Sequence, residues 1–575
     1  MWTYEFACSN PSSRYLEIIF RASAEPSGIT EIAIPKWRPG RYEFGNFAKN
    51  IGRLKIQDEN GRVLIFEKVS SHLWQIQSGK AKQIVVSYTY YAAQPDAGAC
   101  WVEDKLMYVN PIHCCFYLPG KLNTPCVLRL LVPDDWAVAS SLKVLVKREL
   151  KAATYHELVD SPFFASPDLQ HKKYTAGSTG FHIWMQGDAK PEWARILNDF
   201  KAFTEVQLGM MKSFPVKEYH FMVLLLPFSF YHGVEHTACT VLTLGPGYKL
   251  MQKSMYDDLM GVASHELFHA WNVKTLRPRD FAEYDYSAEN YSRLGWVYEG
   301  FTTYYGDLFL SRSGYFKHEE FLGELSARLQ RHMDSTGRLN QSVSDSSFDT
   351  WLDGYVPGVP HRKTSIYDEG SLIALMIDLY IRRFSGGNFS LDDLFRQLYE
   401  EFSKDNLGYR EQDVRVLAAA LSDEKVNRIF DVHVRKAGTY LPMLQELLES
   451  VGCYISEQPA SNSYERAFGF KVVNEGGVIK ISSVMPGSPA DKAGLAKEDE
   501  LIHVNGWKIE NDLHDKVSYA LQGQNSVVLG LFSSRQFRIL KLRKTEKHYY
   551  SRYVISMQSD CTKNQLELRK QWLGA

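Results

Sequence analysis

Several things are scarce in this sequence, and each scarcity excludes a class of protein. Eight cysteines are spread over 575 residues, and none stand in C-x-x-C spacing. That is too sparse for a disulfide framework and argues against a thiolate metal site, so a reducing compartment suits the chain. No apolar run reaches the length of about 20 residues that a bilayer requires. The nearest, "FMVLLLPFSF" and "SLIALMIDLYI", are short, and the second contains Asp378. The formal net charge is only -1, which supplies no electrostatic term for nucleic acid or an anionic membrane surface. The first residues, "MWTYEFACSN", lack a basic stretch and an apolar core, so they read as a strand rather than a signal peptide, and a cytoplasmic location is expected. Repeats and low-complexity tracts are also missing.

What is present is the composition of a folded protein: 45% hydrophobic, 23% charged, with 33 Tyr and 31 Phe. The length suits several cores. Up to residue 166 the pattern is that of strands, as in "ITEIAIPKW" and "QIVVSYTYY", with Asn60-Gly61 at a hairpin turn. This predicts an N-terminal β-sandwich over residues 1–166. "PEWARILNDFKAFTEVQLGMMKSF" then has helical spacing, "YHFMVLLLPF" reads as a buried strand, and a loop through Gly233 leads to the strand "TACTVLTLG". From Trp296 to about Ser450 the chain reads as helical. Residues 167–455 are therefore expected to form a mixed α/β lobe facing a helical lobe. Short strands and turns return over 456–545, and residues 546–575 form a tail whose "KNQLELRKQWLGA" suits an amphipathic helix lying on the surface.

The chemistry resides in "VASHELFHAWNVK". His265 and His269, four residues apart, share one face of a helix and can point at one metal ion. Glu266 lies one step round, where it reaches a water rather than the metal. Two histidines on a buried helix can also be ordinary core residues, so a third ligand is required. Glu299, in the helical "LGWVYEGFTTYYGDL", supplies it from a second helix. Two His and one Glu leave the fourth zinc position open, as a catalytic site requires.

"HELFHAWNVKTLRP" followed by "WVYEGFTTYYGDL" resembles the glycyl aminopeptidase family of gluzincin metallopeptidases. "IPKWRPGRYEFGNFAKNI", "FYHGVEHTACT" and "SIYDEGSLIALMIDLYIRRFSGG" resemble its N-terminal β domain, substrate-binding strand and tyrosine-bearing helix, and "VMPGSPADKAGL…DELIHVNG" its PDZ domain. The resemblance implies a multidomain α+β chain: a β-sandwich, a thermolysin-like catalytic lobe with a helical lobe, and a C-terminal PDZ domain. It implies one Zn²⁺ per chain and peptide substrates cleaved from the N-terminus, with Gly or Ala as possible first residues. Tyr367 is implied as the oxyanion donor, with Glu369 standing where lysine is frequent. Gly233, Glu235 and His236 are implied to bind substrate, Glu235 by its charge and Gly233 by allowing close backbone approach. Phe468, Gly469 and Phe470 form the turn that would hold a peptide carboxylate at the PDZ groove. The alternatives are a zinc endopeptidase and a peptide-binding scaffold with an idle metal site.

Overall fold

The computed structural model describes residues 1–574 apart from 146–147, 356–357 and 405–406. Its N-terminal region is built from alternating strands such as Tyr15–Ser23 and Gln83–Tyr91, in which every second residue is buried, the period-2 signature of a half-covered sheet. A seven-stranded sheet faces smaller three- and four-stranded ones. Aromatic pairs fill the gap between them, Phe6 against Phe163 at 5.5 Å and Tyr88 against Phe116 at 4.9 Å between ring centroids.

The catalytic lobe is organised on a five-stranded sheet. In spatial order its strands are Gln170–Ala176, Thr179–Gln186, Glu218–Leu225, Cys239–Gly245 and Phe230–Glu235. The central strand, "EYHFMVLL", is buried along nearly its whole length, as expected when both faces are covered. Helix Trp193–Met211 covers one face. Ala97, Tyr108 and Phe164 of the N-terminal region cover the other. The segment through Gly233, read above as a loop, is instead the edge strand Phe230–Glu235, paired antiparallel with Cys239–Gly245. Its exposed Tyr231 and half-buried His232 conceal the alternation that would have revealed it.

The motif helix, Lys253–Phe268, lies against this edge strand. Behind it stand helices Gly300–Arg312, His318–Asp334 and Ile366–Phe384, the last buried along most of its length. Toward the C-terminus a separate sheet with helices Pro489–Lys492 and Leu513–Ala520 forms its own apolar core.

Helix Lys563–Leu573 differs from the expectation of a surface helix. Trp572 and Leu573 are completely buried in the helical lobe. The indole Nε1 of Trp572 donates to the Tyr304 hydroxyl at 2.7 Å, which donates in turn to Asp378 at 2.6 Å. The strand before it, Arg552–Met557, pairs with Cys453–Gln458, so the chain leaves the helical lobe and returns to it. A helix with few apolar residues looks exposed in sequence; here Leu568, Trp572 and Leu573 give it a buried face.

Candidate active site

His265 occupies the last turn of the motif helix, and His269 is the residue that caps it. Their Nε2 atoms lie 3.0 Å apart. Glu299 sits where the one-turn helix Gly295–Tyr298 meets helix Gly300–Arg312, and its Oε2 is 3.8 Å from His265 and 3.5 Å from His269. Ligand bonds of about 2.0–2.1 Å in a tetrahedron place donor atoms a little over 3 Å apart, so these three groups fit a zinc ion. The His269 tautomer also fits. Its Nδ1 donates to the Asn272 carbonyl at 2.6 Å, leaving the Nε2 lone pair for a metal, the usual arrangement for a ligating histidine.

The electrostatics of the cluster point the same way. Glu235, Glu266 and His269 form a second set of donor atoms within 4.8 Å of one another, so three carboxylates surround two imidazoles. Burial, with Glu235 and Glu299 close by, holds Glu266 well above the usual carboxylate range. Burial also raises Glu299 and drives His265 well below the ordinary imidazole value. Burial disfavours charge on His269 as well, but Glu299, Glu235 and Glu266 outweigh it and shift that ring upwards. The shifts of Glu266 and His269 report crowded carboxylates that a divalent cation would relieve, and neutral His265 keeps its lone pair for that ion. Glu235 Oε1 and Glu266 Oε2 are buried with no partner among the described residues.

Glycines set these distances. A Cβ on Gly233 would lie 2.6 Å from Val262 Cγ2 and 2.8 Å from Glu266 Cδ, so the edge strand approaches the motif helix only because this residue has no side chain. Glu266 makes a close approach at this glycine, which also lines the cavity holding the cluster. Gly306 lies against the backbone of His265, with 3.3 Å between its would-be Cβ and the His265 Cα. Gly300 and Gly370 bring two helix backbones together, a Cβ on Gly370 falling 2.7 Å from the Gly300 Cα. This crossing fixes Glu299, one residue before Gly300, relative to Tyr367, three residues before Gly370.

A cavity of about 560 Å³ contains the cluster, and Tyr367 lines it together with Gly40, Arg41 and Tyr355. Burial, with Glu299 nearby, holds the Tyr367 phenol well above its ordinary value, so it remains a proton donor. Its two followers are clamped: Asp368 accepts from Arg331 at 2.7 Å, and Glu369 pairs with His332 at 2.8 Å while accepting from Thr364 at 2.7 Å. Glu369 thus faces away from the cavity and anchors the turn that carries Tyr367. Gly40, Arg41 and Tyr355 were not anticipated. Gly40 and Arg41 belong to "WRPGRYEF" of the N-terminal region, where a Cβ on Gly40 would meet the Glu235 carboxylate at 2.6 Å. Arg41 pairs with Glu43 and lies 5.3 Å over the Tyr355 ring. The run of charge and aromatics around Arg41 was the available signal.

Protein-family models now place this geometry. The model described as M61 glycyl aminopeptidase matches residues 258–373, and the Peptidase M61 N-terminal domain model matches residues 3–167. The chain thus carries M61 glycyl aminopeptidase domains, N-terminal and catalytic, in that order. These domains support an aminopeptidase-type metallopeptidase. A PDZ domain model matches residues 461–531. Among solved structures, an aminopeptidase N family protein from Idiomarina loihiensis matches over 100% of both chains at 24% identity, with a TM-score of 0.90, which shows a common fold. An M1 zinc metallopeptidase from Deinococcus radiodurans is 14% identical, covering 76% of this chain and 94% of its own, with a TM-score of 0.46.

Two expected contacts of this chain are placed elsewhere. His236 lines a neighbouring cavity of about 720 Å³ rather than the one holding the histidine pair, and its Nδ1 lies 3.2 Å from Asp160. The backbone turns at the end of the edge strand, so Glu235 and His236 face different spaces. In the PDZ turn, Phe468, Gly469 and Phe470 are all buried, and the Gly469 N–H donates to the Glu465 carbonyl at 3.0 Å. That donor closes helix Ser463–Phe468 instead of lying open for a carboxylate. Strand Phe470–Glu475 remains an edge of its sheet, with Lys471 paired to Asp334 of the catalytic lobe at 2.6 Å.

Proposed function

We propose that this chain removes small N-terminal residues from peptides, with one zinc ion held by His265, His269 and Glu299. The observation that carries the reading is the buried cluster of two imidazoles and three carboxylates on one wall of a cavity. Zinc, when bound there, supplies a Lewis acid that polarises the scissile carbonyl and acidifies a water molecule. Glu266 takes a proton from the attacking water and passes it to the leaving amine. The Tyr367 phenol donates to the developing oxyanion.

The peptide lies along the free edge of strand Phe230–Glu235, and its α-ammonium pairs with Glu235. Gly40, Arg41 and Tyr355 line the same cavity, Gly40 against the Glu235 carboxylate; the match to the glycyl aminopeptidase model favours an aminopeptidase over an endopeptidase, with Gly or Ala as first residue. A second peptide adds beside strand Phe470–Glu475 of the PDZ domain, through its edge hydrogen bonds rather than through the Gly469 turn.

The test combines metal analysis with peptide kinetics. Wild type should hold about one zinc and cleave a Gly-led peptide much faster than its N-acetylated twin. Glu266→Gln should keep the metal and lose turnover, because an amide cannot accept the proton. Tyr367→Phe should lose about 10²–10³-fold in kcat, the usual cost of one oxyanion donor. Stoichiometric zinc in a variant lacking all three ligands, or near-normal kcat in either single variant, refutes the corresponding role.

A further inference from the structure

Helix His318–Asp334 stands between two cavities. Glu324, Arg328 and Arg331 on one face line the cavity that holds the metal cluster. Gly323, Ser326 and Gln330 on a second face line another of about 840 Å³, shared with strand Arg552–Met557 and the PDZ domain. Ser326, Gln330 and Asp334 recur every four residues and so share that second face. Ser326 Oγ accepts from the Ile555 N–H at 2.9 Å, and Gln330 Oε1 accepts from the Tyr553 N–H at 3.0 Å. These two side chains occupy the edge of strand Arg552–Met557 that its partner strand leaves free. Asp334 ends the helix, and there it pairs with Lys471 of the PDZ domain at 2.6 Å.

The same turn holds the helix that carries Tyr367. Arg331 donates to Asp368 at 2.7 and 3.0 Å, and His332, its side chain wholly buried, lies 2.8 Å from Glu369. Asp368 and Glu369 directly follow Tyr367. Within residues 330–334, then, Gln330 and Asp334 face the C-terminal part of the chain while Arg331 and His332 grip the turn that presents the phenol. A carboxylate at a helix C-terminus sits at the negative end of the dipole. Lys471 supplies the one ion pair of Asp334 among the described residues, and the two side chains are only 29% and 23% exposed. Without the ammonium, that turn loses both its neutralising charge and its fastening to the PDZ sheet.

We propose that Lys471 is a positioning residue for Tyr367: by pairing with Asp334 it makes the PDZ domain fasten the helix turn that holds the oxyanion donor. This rests on the reading of Tyr367 given above. The role differs from simple scaffolding because its effect passes through one phenol and disappears when that phenol is absent.

The experiment measures cleavage of a Gly-led peptide, with zinc content, in wild type, Lys471→Met, Lys471→Arg, Tyr367→Phe, and Tyr367→Phe with Lys471→Met. Lys471→Met should lower kcat about three- to tenfold, as expected of a shift of a few tenths of an ångström where 1 Å costs roughly 10²-fold. KM and zinc content should stay at wild-type levels, and Lys471→Arg should keep kcat within about twofold of wild type, since it keeps the ion pair. In the Tyr367→Phe background, Lys471→Met should cause no further loss, because the two changes act on one group. A wild-type kcat in Lys471→Met overturns the proposal. So does an equal loss in the Tyr367→Phe background, which would mean that Lys471 acts elsewhere, and so does a loss shared by Lys471→Arg. If Lys471→Met does not fold, Asp334→Asn breaks the same pair from the other side and carries the same expectations. If Tyr367→Phe keeps a normal kcat, the reading of Tyr367 fails and this proposal with it. If Tyr367→Phe is impaired while Lys471→Met is not, only this proposal fails.

Discussion

Gly233→Ala tests whether the edge strand holds Glu266 in its working position. The added methyl would sit 2.6 Å from Val262 Cγ2 and 2.8 Å from the Glu266 carboxylate carbon. Non-bonded carbon contacts settle at about 3.5–4.0 Å, so either the strand or the glutamate must retreat by about 1 Å. Overpacking of this kind typically costs about 1–3 kcal/mol of stability, which a large helical and β-sheet lobe can absorb while still melting cooperatively. The catalytic consequence should be greater, because a displacement of about 1 Å in a reacting group costs roughly 10²-fold. None of His265, His269 and Glu299 appears among the atoms nearest that methyl, so zinc content should stay at the wild-type level. The assay is steady-state cleavage of a glycyl chromogenic amide, alongside metal analysis and a melting curve. A folded, zinc-loaded Gly233→Ala enzyme with kcat within about threefold of wild type would refute the reasoning: Glu266 would then not depend on this strand, or would not be the base.

Trp572→Ala should destabilise the helical lobe by about 3–5 kcal/mol, the usual cost of truncating a buried Trp, because the ring is completely buried and donates to Tyr304; a denaturant midpoint equal to wild type would return this helix to the surface. Acid should weaken the fold through His113 and His433, which burial, with Arg38 beside the first and Arg428 beside the second, holds down to about 3 and about 4. The unfolded chain takes up these protons near pH 6.5, so stability is complete above that pH and falls as the pH drops toward the folded values. At pH 5 each contributes a loss of about 2 kcal/mol. His113→Gln should flatten the fall in urea midpoint between pH 7.5 and pH 5, and an unchanged slope would show that His113 titrates normally.

The sequence by itself determined the histidine pair of the candidate metal site and the fold class. Four-residue spacing puts His265 and His269 on one face wherever a helix forms, and strand alternation exposed the N-terminal sheets before any contact was known. The helical run after Trp296 likewise announced a second lobe and put Glu299 on a second helix, although the break at Glu299 between Gly295–Tyr298 and Gly300–Arg312 was not legible. These features are local, and their physical cause is the period of the backbone. The tertiary structure decided everything that depends on two distant segments meeting. Gly233 exists for Glu266, and Gly300 for Gly370, which no periodicity relates. Asp160 reaches across 77 residues to Thr237 and across 114 to Lys274, and a lone aspartate at a helix end looks the same in sequence whether it meets water or a buried ammonium. Gly40 and Arg41 reach the cavity only because the N-terminal region folds over the catalytic lobe. His236 and the Phe468–Phe470 turn carried the right residue types, but the direction of the chain set His236 Nδ1 against Asp160 and the capping of one short helix occupied the Gly469 N–H. Burial of Trp572 follows from the same cause: its ring packs on Phe321 and donates to Tyr304, residues more than 240 positions away.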